Sequence, residues 1–158
     1  MKYFLALSLL LTPYVAFSKE AQKMNLVNLK NQQELVNFSK SNKTYVIQVM
    51  ASWCASCSGA LSKLLEAIPK GNKKITVLAV SVDDDLEAFK IYHKKNQNKW
   101  NTSDKDVRFL LDKEGQNLKS LSLKAIPSTF IIRNKIVLKS ISGDHNMSII
   151  NDFLKTSH

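Results

Sequence analysis

The order of apolar and polar residues along the chain predicts strands and helices in alternation. Residues 45–50 and 75–82 are compact apolar runs rich in valine and isoleucine, the pattern of strands that are buried on both faces of a sheet. Between them, apolar residues recur at i, i+3, i+4 and i+7 over residues 61–68, which predicts an amphipathic helix that ends before Pro69. A strand, a helix and a second strand in this order predict a β-α-β unit with parallel strands.

The rest of the chain carries weaker signals of the same two kinds. The aspartates at 83–85 supply an N-cap and favourable negative charge for a helix that follows them. Leu35 and Phe38 lie three residues apart and predict a short helix over residues 32–39. The other predicted elements are strands at 24–29, 107–111, 128–132 and 135–141, a polar loop at 96–106, a short helix or turn at 118–123, and a last helix at 147–154.

Residues 1–18 have the profile of a secretory signal peptide. Lys2 precedes an uncharged, leucine-rich stretch, and Ala-Phe-Ser at 16–18 is a small-x-small cleavage pattern. The stretch is shorter than the ~20 residues of a membrane-spanning helix, although an uncleaved anchor stays open as an alternative. We therefore predict an export signal at 1–18, one folded domain at 19–158, and a periplasmic location.

Charge and cysteine content exclude several classes of protein. The chain has 23 Lys and Arg against 13 Asp and Glu, a net charge of +10, which can favour anionic partners. Its lysines are dispersed and no aromatic residues interleave with them, so we predict a solvated basic surface and no nucleic-acid partner. Two cysteines are too few for a small protein held together by disulfides or for a four-ligand zinc finger.

The two cysteines, Cys54 and Cys57, follow the first buried strand and open the predicted helix. Thiols one helical turn apart can join, and the first faces unsatisfied amide groups of the helix N-terminus, which favours its thiolate. Cys54 would then attack a substrate disulfide and Cys57 would resolve the mixed disulfide. A metal-binding pair and a purely structural disulfide stay open as alternatives.

The segment Trp53-Cys54-Ala55-Ser56-Cys57, between a buried strand and a helix, resembles the active site of the thioredoxin superfamily. Ala125-Ile126-Pro127-Ser128-Thr129 resembles the superfamily's cis-proline loop and the strand after it. The extra length between these segments resembles the TlpA/ResA-like branch of extracytoplasmic thioredoxins. The resemblance spans residues 25–155 and implies an α/β, thioredoxin-like fold, a central mixed β-sheet flanked by helices. It also implies a thiol-disulfide oxidoreductase that needs no bound cofactor.

The resemblance further implies roles for residues around the two catalytic cysteines, Cys54 and Cys57. Trp53, Ile126 and Pro127 would bind the substrate, with Pro127 leaving the backbone of its neighbour open to pair with an extended substrate segment. Ile126 resembles the apolar residue before the proline in reducing thioredoxins, which favours a reductant. Gly143 resembles a family glycine near the active-site surface.

Two positions depart from the family pattern. Thioredoxins usually have a buried carboxylate six residues before the first cysteine, where it helps to move the proton of the resolving thiol; here the residue is Gln48, which cannot take a proton. ResA-like proteins often have a glutamate three residues after the second cysteine, and here the residue is Ala60. Proton transfer at Cys57 must therefore use water or another group.

The resemblance implies partners outside the cytoplasm. These are the thiols and disulfides of exported proteins, apocytochrome c among them, and a membrane electron donor, with the protein itself acting as a monomer. The alternative is a thioredoxin-fold carrier that binds Cu(I) through both sulfurs. Such carriers generally have a CxxxC spacing and an added histidine, whereas His93, His145 and His158 each stand alone in polar surroundings. We therefore predict that these histidines are solvated and that the chain has no metal site.

Overall fold

The computed structural model describes residues 20–39, 43–69, 71–103, 105–143, 150 and 152–153. The predicted leader and most of the predicted last helix lie outside these residues. The strands are β1 (Met24–Asn28), β2 (Gln33–Val36), β3 (Thr44–Met50), β4 (Ile75–Ser81), β5 (Asp106–Leu111), β6 (Ser128–Arg133) and β7 (Ile136–Ser142). The α-helices are α1 (Cys57–Ala67) and α2 (Leu86–Asn96), and short 3₁₀ helices span Gln97–Lys99, Lys113–Gly115 and Leu118–Leu121.

The strands described form one mixed sheet in the order β2-β1-β5-β4-β3-β6-β7. The three central strands β3, β4 and β5 run parallel, and the outer strands pair antiparallel with their neighbours. The predicted β-α-β unit from β3 through α1 to β4 is present. The mixed sheet with helices beside it confirms the predicted thioredoxin-like α/β fold.

Both faces of the central sheet are buried, which explains the unbroken apolar runs of its strands. Successive side chains of β3 lie in two different cores. Val46 and Met50 belong to the core that includes the leucines of α1 and Phe89 of α2. Ile47 and Val49 belong to a second core, completed by residues of β1, by Phe38 and by the Leu118–Leu121 segment.

The two helices are close to their predicted positions. The leucine stripe of α1 is fully buried, and the helix ends at Ala67. The next residue, Ile68, has an extended ψ of 124°, which suits the residue before a proline. Asp85 caps α2, because its carboxylate accepts a 3.2 Å hydrogen bond from the N–H of Glu87. Helix α2 and the Gln97–Lys99 turn take up the first part of the predicted polar loop.

The helix predicted over residues 32–39 is wrong, because β2 occupies this stretch. The Asn28 side chain accepts hydrogen bonds from the N–H groups of Lys30 and Gln32, which builds a tight turn after β1. The chain then pairs antiparallel with β1. Leu35 is 60% exposed while Phe38 is 1% exposed, so the two residues do not share the buried face that a helix would need.

An ion pair fixes this outer hairpin to the sheet. Arg108 of β5 donates to the carboxylate of Glu34 in β2, on the far side of β1. Burial raises the pKa of Glu34, but hydrogen bonds from Arg108 and Asn28 together with the charge of Arg108 outweigh it, so the net pKa is lowered.

Candidate active site

The candidate site lies where the carboxyl ends of β3, β4 and β5 meet. In the parallel register Met50 lies beside Ser81, and Ser81 lies beside Leu111. The antiparallel strand β6 starts at the same edge, since Ser128 pairs with Val49. The segments that follow β3, β4 and β5 and the segment that precedes β6 therefore converge, as they do at ligand sites of open α/β sheets.

The two cysteines follow β3 and form a disulfide, with their Cα atoms 5.5 Å apart. Helix α1 begins at Cys57, so Cys54 lies in the turn before the helix rather than inside it. Cys54 is 8% exposed and Cys57 is 0% exposed. An incoming thiolate or disulfide can therefore reach Cys54, whereas Cys57 is covered.

A hydroxyl lies beside the more accessible sulfur. The Oγ of Ser56 is 3.8 Å from the Sγ of Cys54, and since a disulfide sulfur has no proton, Ser56 is the donor. A donor at this place would also stabilise a Cys54 thiolate after reduction. The sequence contains Ser56, but its contact with the sulfur depends on the turn geometry.

Trp53 and the Ile126–Pro127 segment, which are predicted to bind substrate, lie in chain segments that converge at this edge of the sheet. Trp53 is 69% exposed. The Ile126–Pro127 peptide bond is cis, as the resemblance implies, and Ile126 packs against the core that contains both cysteines. Gly143, at φ 91°, donates its N–H to the carbonyl of Pro127 at 2.7 Å. Among the described residues, the backbone N–H and C=O of Ile126 have no backbone partner.

Gln48 is buried and hydrogen-bonded rather than available for proton transfer. Its Oε1 accepts from the hydroxyl of Thr129 at 2.8 Å, and its Nε2 lies 3.4 Å from the carbonyl of Ser128. The amide therefore joins β3 to the start of β6, directly after the cis-proline. Ala60 lies buried in α1 and brings no polar atom.

A buried carboxylate at the site, Asp83, was not predicted. Asp83 is 3% exposed and accepts from the N–H of Ser52 at 3.0 Å, from the hydroxyl of Ser52 at 2.8 Å and from the hydroxyl of Ser81 at 2.6 Å. It fixes the backbone two residues before Cys54. The run of three aspartates predicts helix capping for Asp83 as for its neighbours, but Asp85 is the residue that caps α2. The available signal is a polar residue two positions after each of two neighbouring parallel strands, Ser52 after β3 and Asp83 after β4.

A polar and aromatic network packs behind Cys57. The hydroxyl of Ser58 donates to Asn96 at 2.9 Å, and the indole N–H of Trp100 donates to the carbonyl of Ser58 at 3.2 Å. These bonds hold the start of α1 against the end of α2. Burial, followed by the negative charge of Asp83, raises the pKa of Tyr92, which belongs to the same layer.

The prediction that His93 is solvated is wrong. Its ring is half-buried, edge-on to Phe109 at 4.4 Å between centroids and 5.8 Å from Trp100. Burial lowers the pKa of His93. His145 and His158 lie outside the described residues. Within the ranges that the structure describes, no three His, Cys, Asp or Glu side chains come together as a metal site.

None of the helices described is long and apolar enough to cross a membrane. Comparison with known proteins supplies the family. The redoxin family model matches residues 16–153, which is most of the chain. No curated protein matches with significance.

Solved structures share the fold. The chain is 20% identical to a thiol-disulfide oxidoreductase from Bacteroides fragilis, with 87% of this chain and 99% of that one covered at a TM-score of 0.67. It is 19% identical to the exposed lipoprotein thioredoxin Etrx1 of Streptococcus pneumoniae, with 85% and 99% covered at a TM-score of 0.67. It is 13% identical to StoA of Bacillus subtilis, with 85% and 98% covered at a TM-score of 0.62.

The family match covers the features of the candidate site. The match includes the CxxC disulfide after β3 and the cis-proline before β6, which lie at one edge of the sheet. The chain therefore belongs to the redoxin family and is a thiol-disulfide oxidoreductase of the thioredoxin superfamily.

Proposed function

We propose that this protein is exported and reduces disulfides in other exported proteins through Cys54 and Cys57. The observation that carries the proposal is the asymmetry of the pair: Cys54 keeps 8% of its surface exposed and adjoins the 69% exposed Trp53, whereas Cys57 has no exposed surface. Only Cys54 is placed to meet a partner from solution, and only Cys57 is placed to act within the protein.

The reaction is two successive thiol-disulfide exchanges. The Cys54 thiolate attacks one sulfur of a substrate disulfide, so a Cys54–substrate bond forms and the other substrate sulfur leaves as a thiolate. Cys57 then loses its proton and attacks the Cys54 sulfur, which releases the second substrate thiolate and forms the Cys54–Cys57 disulfide. The substrate gains two electrons, the enzyme loses two, and an external dithiol must reduce the enzyme again.

Removal of the proton from Cys57 is the step for which this chain lacks the carboxylate that the family usually supplies. Gln48 and Ala60 occupy the positions of the family carboxylates, and neither can accept a proton. Because Cys57 is fully buried, water reaches its thiol only after a local movement uncovers it. Deprotonation of Cys57 is therefore the slow part of the resolving step in this proposal.

Trp53, Ile126 and Pro127 bind the substrate in this scheme. The exposed indole of Trp53 gives an apolar surface next to the reactive sulfur. The cis-proline leaves the backbone groups of Ile126 available to an extended substrate segment, which pairs with them as an added strand. The apolar Ile126 before the proline supports the reducing direction.

The proposed location and partners rest on the predicted leader. Residues 1–18 would direct export to the periplasm, whether the leader is cleaved or kept as an anchor. A reductant there needs electrons from the membrane, so the proposal includes a membrane dithiol donor. Exported thiol proteins such as apocytochrome c are the proposed substrates, and the enzyme acts as a monomer.

Two single substitutions test the roles of the cysteines. With insulin and dithiothreitol, Cys54→Ser should abolish catalysed reduction, because the attacking sulfur is gone. Cys57→Ser should keep the attack and accumulate a protein–substrate mixed disulfide, detected by non-reducing electrophoresis and mass spectrometry. Full insulin reduction by Cys54→Ser, or trapping by Cys54→Ser instead of Cys57→Ser, would contradict the proposal. Each variant loses one sulfur and serves as the control for the other.

A further inference from the structure

A groove of about 560 Å³ lies at the same edge of the sheet as the disulfide. Its apolar lining consists of Val82 after β4 and of Leu123 and Ile126 before the cis-proline. Val82 donates its N–H to the carbonyl of Met50 at 3.0 Å, at the end of the strand that leads to the cysteines. We call this the Ile126 groove, because Ile126 belongs both to it and to the proposed exchange site.

A second part of the groove lining is built from residues with left-handed backbone. Glu114, Gly115 and Ser122 line the groove at φ values of 55°, 64° and 52°. A side chain at position 115 would place its Cβ 3.4 Å from Val82, against the apolar lining. Glycine adopts this conformation freely, but at Glu114 and Ser122 it costs of the order of 1 kcal/mol each, and such residues concentrate where a surface is shaped for a ligand.

A buried carboxylate holds this part of the lining in place. Asp112 is 1% exposed and accepts hydrogen bonds from the N–H groups of Asn117 at 3.0 Å and Leu118 at 2.9 Å. The side chain of Asn117 donates to Asp112 at 2.8 Å and to the carbonyl of Asn25 in β1 at 3.0 Å. The groove is thus formed before any partner arrives, which reduces the entropy lost on binding.

The charged residues of the groove differ from the rest of the protein. The chain as a whole carries a net charge of +10. Two carboxylates, Asp84 and Glu114, and one ammonium, Lys119, line the groove, and Asp84 and Glu114 are exposed. This small acidic excess on a basic protein favours a cationic side chain beside the apolar lining.

We propose that the Ile126 groove binds the part of an oxidised substrate protein that flanks its reactive cysteine, with a large apolar side chain against Val82, Leu123 and Ile126 and a lysine or arginine beside Asp84 and Glu114. The proposal rests on the proposed function and adds to it a class of substrate sequence. An extended segment that pairs with the backbone of Ile126 would lie next to this groove, because Ile126 lines it.

Matched peptides test the proposal. Each carries one cysteine joined to 2-mercaptoethanol as a mixed disulfide, with Leu-Arg or Gly-Glu next to the cysteine, before it in one set and after it in another. The rate of reduction by the dithiol form of the enzyme is followed by chromatography of the released peptide. We expect the Leu-Arg peptide to react about tenfold faster than the Gly-Glu peptide in at least one set, a difference of about 1.4 kcal/mol.

Charge reversal then assigns the preference to the groove. The double variant Asp84→Lys, Glu114→Lys should remove the preference, and Leu123→Ala should weaken it. Glu66→Lys, an exposed carboxylate of α1 outside the groove, and Leu138→Ala, an exposed leucine of β7, are the matched controls and should keep it.

Bis(2-hydroxyethyl) disulfide, which is uncharged and too small to fill the groove, separates this proposal from the proposed function. The control variants Glu66→Lys and Leu138→Ala should reduce it at the wild-type rate, and for every variant the peptide rates are divided by the rate with this small disulfide. If the wild type does not distinguish the peptides, or if the preference survives charge reversal, the groove proposal is overturned while the exchange reaction stands. If the small disulfide is not reduced either, the proposed function itself fails.

Discussion

Replacement of Asp83 by alanine removes the buried carboxylate that fixes the backbone before Cys54. The variant leaves the Ser52 N–H and the hydroxyls of Ser52 and Ser81 without their acceptor. Hydrogen bonds to charged groups contribute roughly 1.5–3 kcal/mol each, but Ser52 is only half-buried and water can replace part of its loss. We therefore expect the free energy of unfolding to fall by about 2–3 kcal/mol.

Urea denaturation measures this loss, and Asp85→Ala is the matched control. With a slope of about 2 kcal/mol per molar urea, Asp83→Ala should lower the midpoint by about 1–1.5 M. Asp85 is exposed and caps α2, so its loss should cost about 1 kcal/mol and shift the midpoint by about 0.5 M. A smaller loss of stability in Asp83→Ala than in Asp85→Ala would refute the reasoning, because Asp83 accepts more hydrogen bonds than Asp85 does.

Three further substitutions test other parts of the account. His93→Phe should flatten the pH dependence of stability between pH 7 and about 5. Burial lowers the folded pKa of His93, so the unfolded state binds more protons and wild-type stability falls as the pH falls through this window. Glu34, whose folded pKa is lowered by its Arg108 partner, loses its contribution to stability only at lower pH. Denaturant titrations across pH decide this, and an unchanged slope in His93→Phe would contradict it. Ser56→Ala should raise the pKa of the Cys54 thiol, measured by thiolate absorbance at 240 nm, and slow exchange at pH 7 about twofold, because the loss of thiolate is partly offset by its higher nucleophilicity; a lowered thiol pKa would contradict the assigned donor. Trp53→Ala should raise the KM for protein disulfides severalfold, because the exposed indole buries its area only against a bound protein, and should leave reduction of bis(2-hydroxyethyl) disulfide unchanged; an equal loss with both substrates would place Trp53 in the chemistry instead of in binding.

The parts of the fold that depend on long-range burial were predictable from the sequence. Strands β3 and β4 are buried on both faces, so most of their residues are apolar and the runs are unmistakable. Helix α1 shows a complete leucine stripe because one face packs on the sheet and the other meets solvent.

The outer hairpin was not predictable in the same way. Strand β2 has four residues and only Val36 among them is buried, so its composition carries little periodic signal. Its strand character comes from the turn at Asn28 and from pairing with β1, which are contacts between residues apart in sequence. Local propensity cannot represent such contacts.

In the candidate site, too, residues in local motifs were predictable and residues that depend on distant contacts were not. Cys54, Cys57 and Pro127 belong to short motifs that sequence alone reveals. The structural role of Asp83 depends on its hydrogen bonds with Ser52. Ser52 lies 31 residues earlier and becomes a neighbour of Asp83 only because β3 and β4 pair in register. The two aspartates that follow Asp83 also made this role hard to recognise, because helix capping already explains a run of acidic residues before a helix.

We propose that Cys54 and Cys57 form a reducing dithiol that exchanges with partners from solution. Equilibration of the protein with thiol buffers of defined potential, with the thiol state followed by mass spectrometry, measures the reduction potential on which this role depends. We expect one two-electron transition with a midpoint near the −270 mV that is typical of thioredoxin. A midpoint near the −120 mV of the oxidant DsbA would contradict the reducing role, and a pair that never equilibrates with any thiol buffer would contradict the exchange mechanism itself.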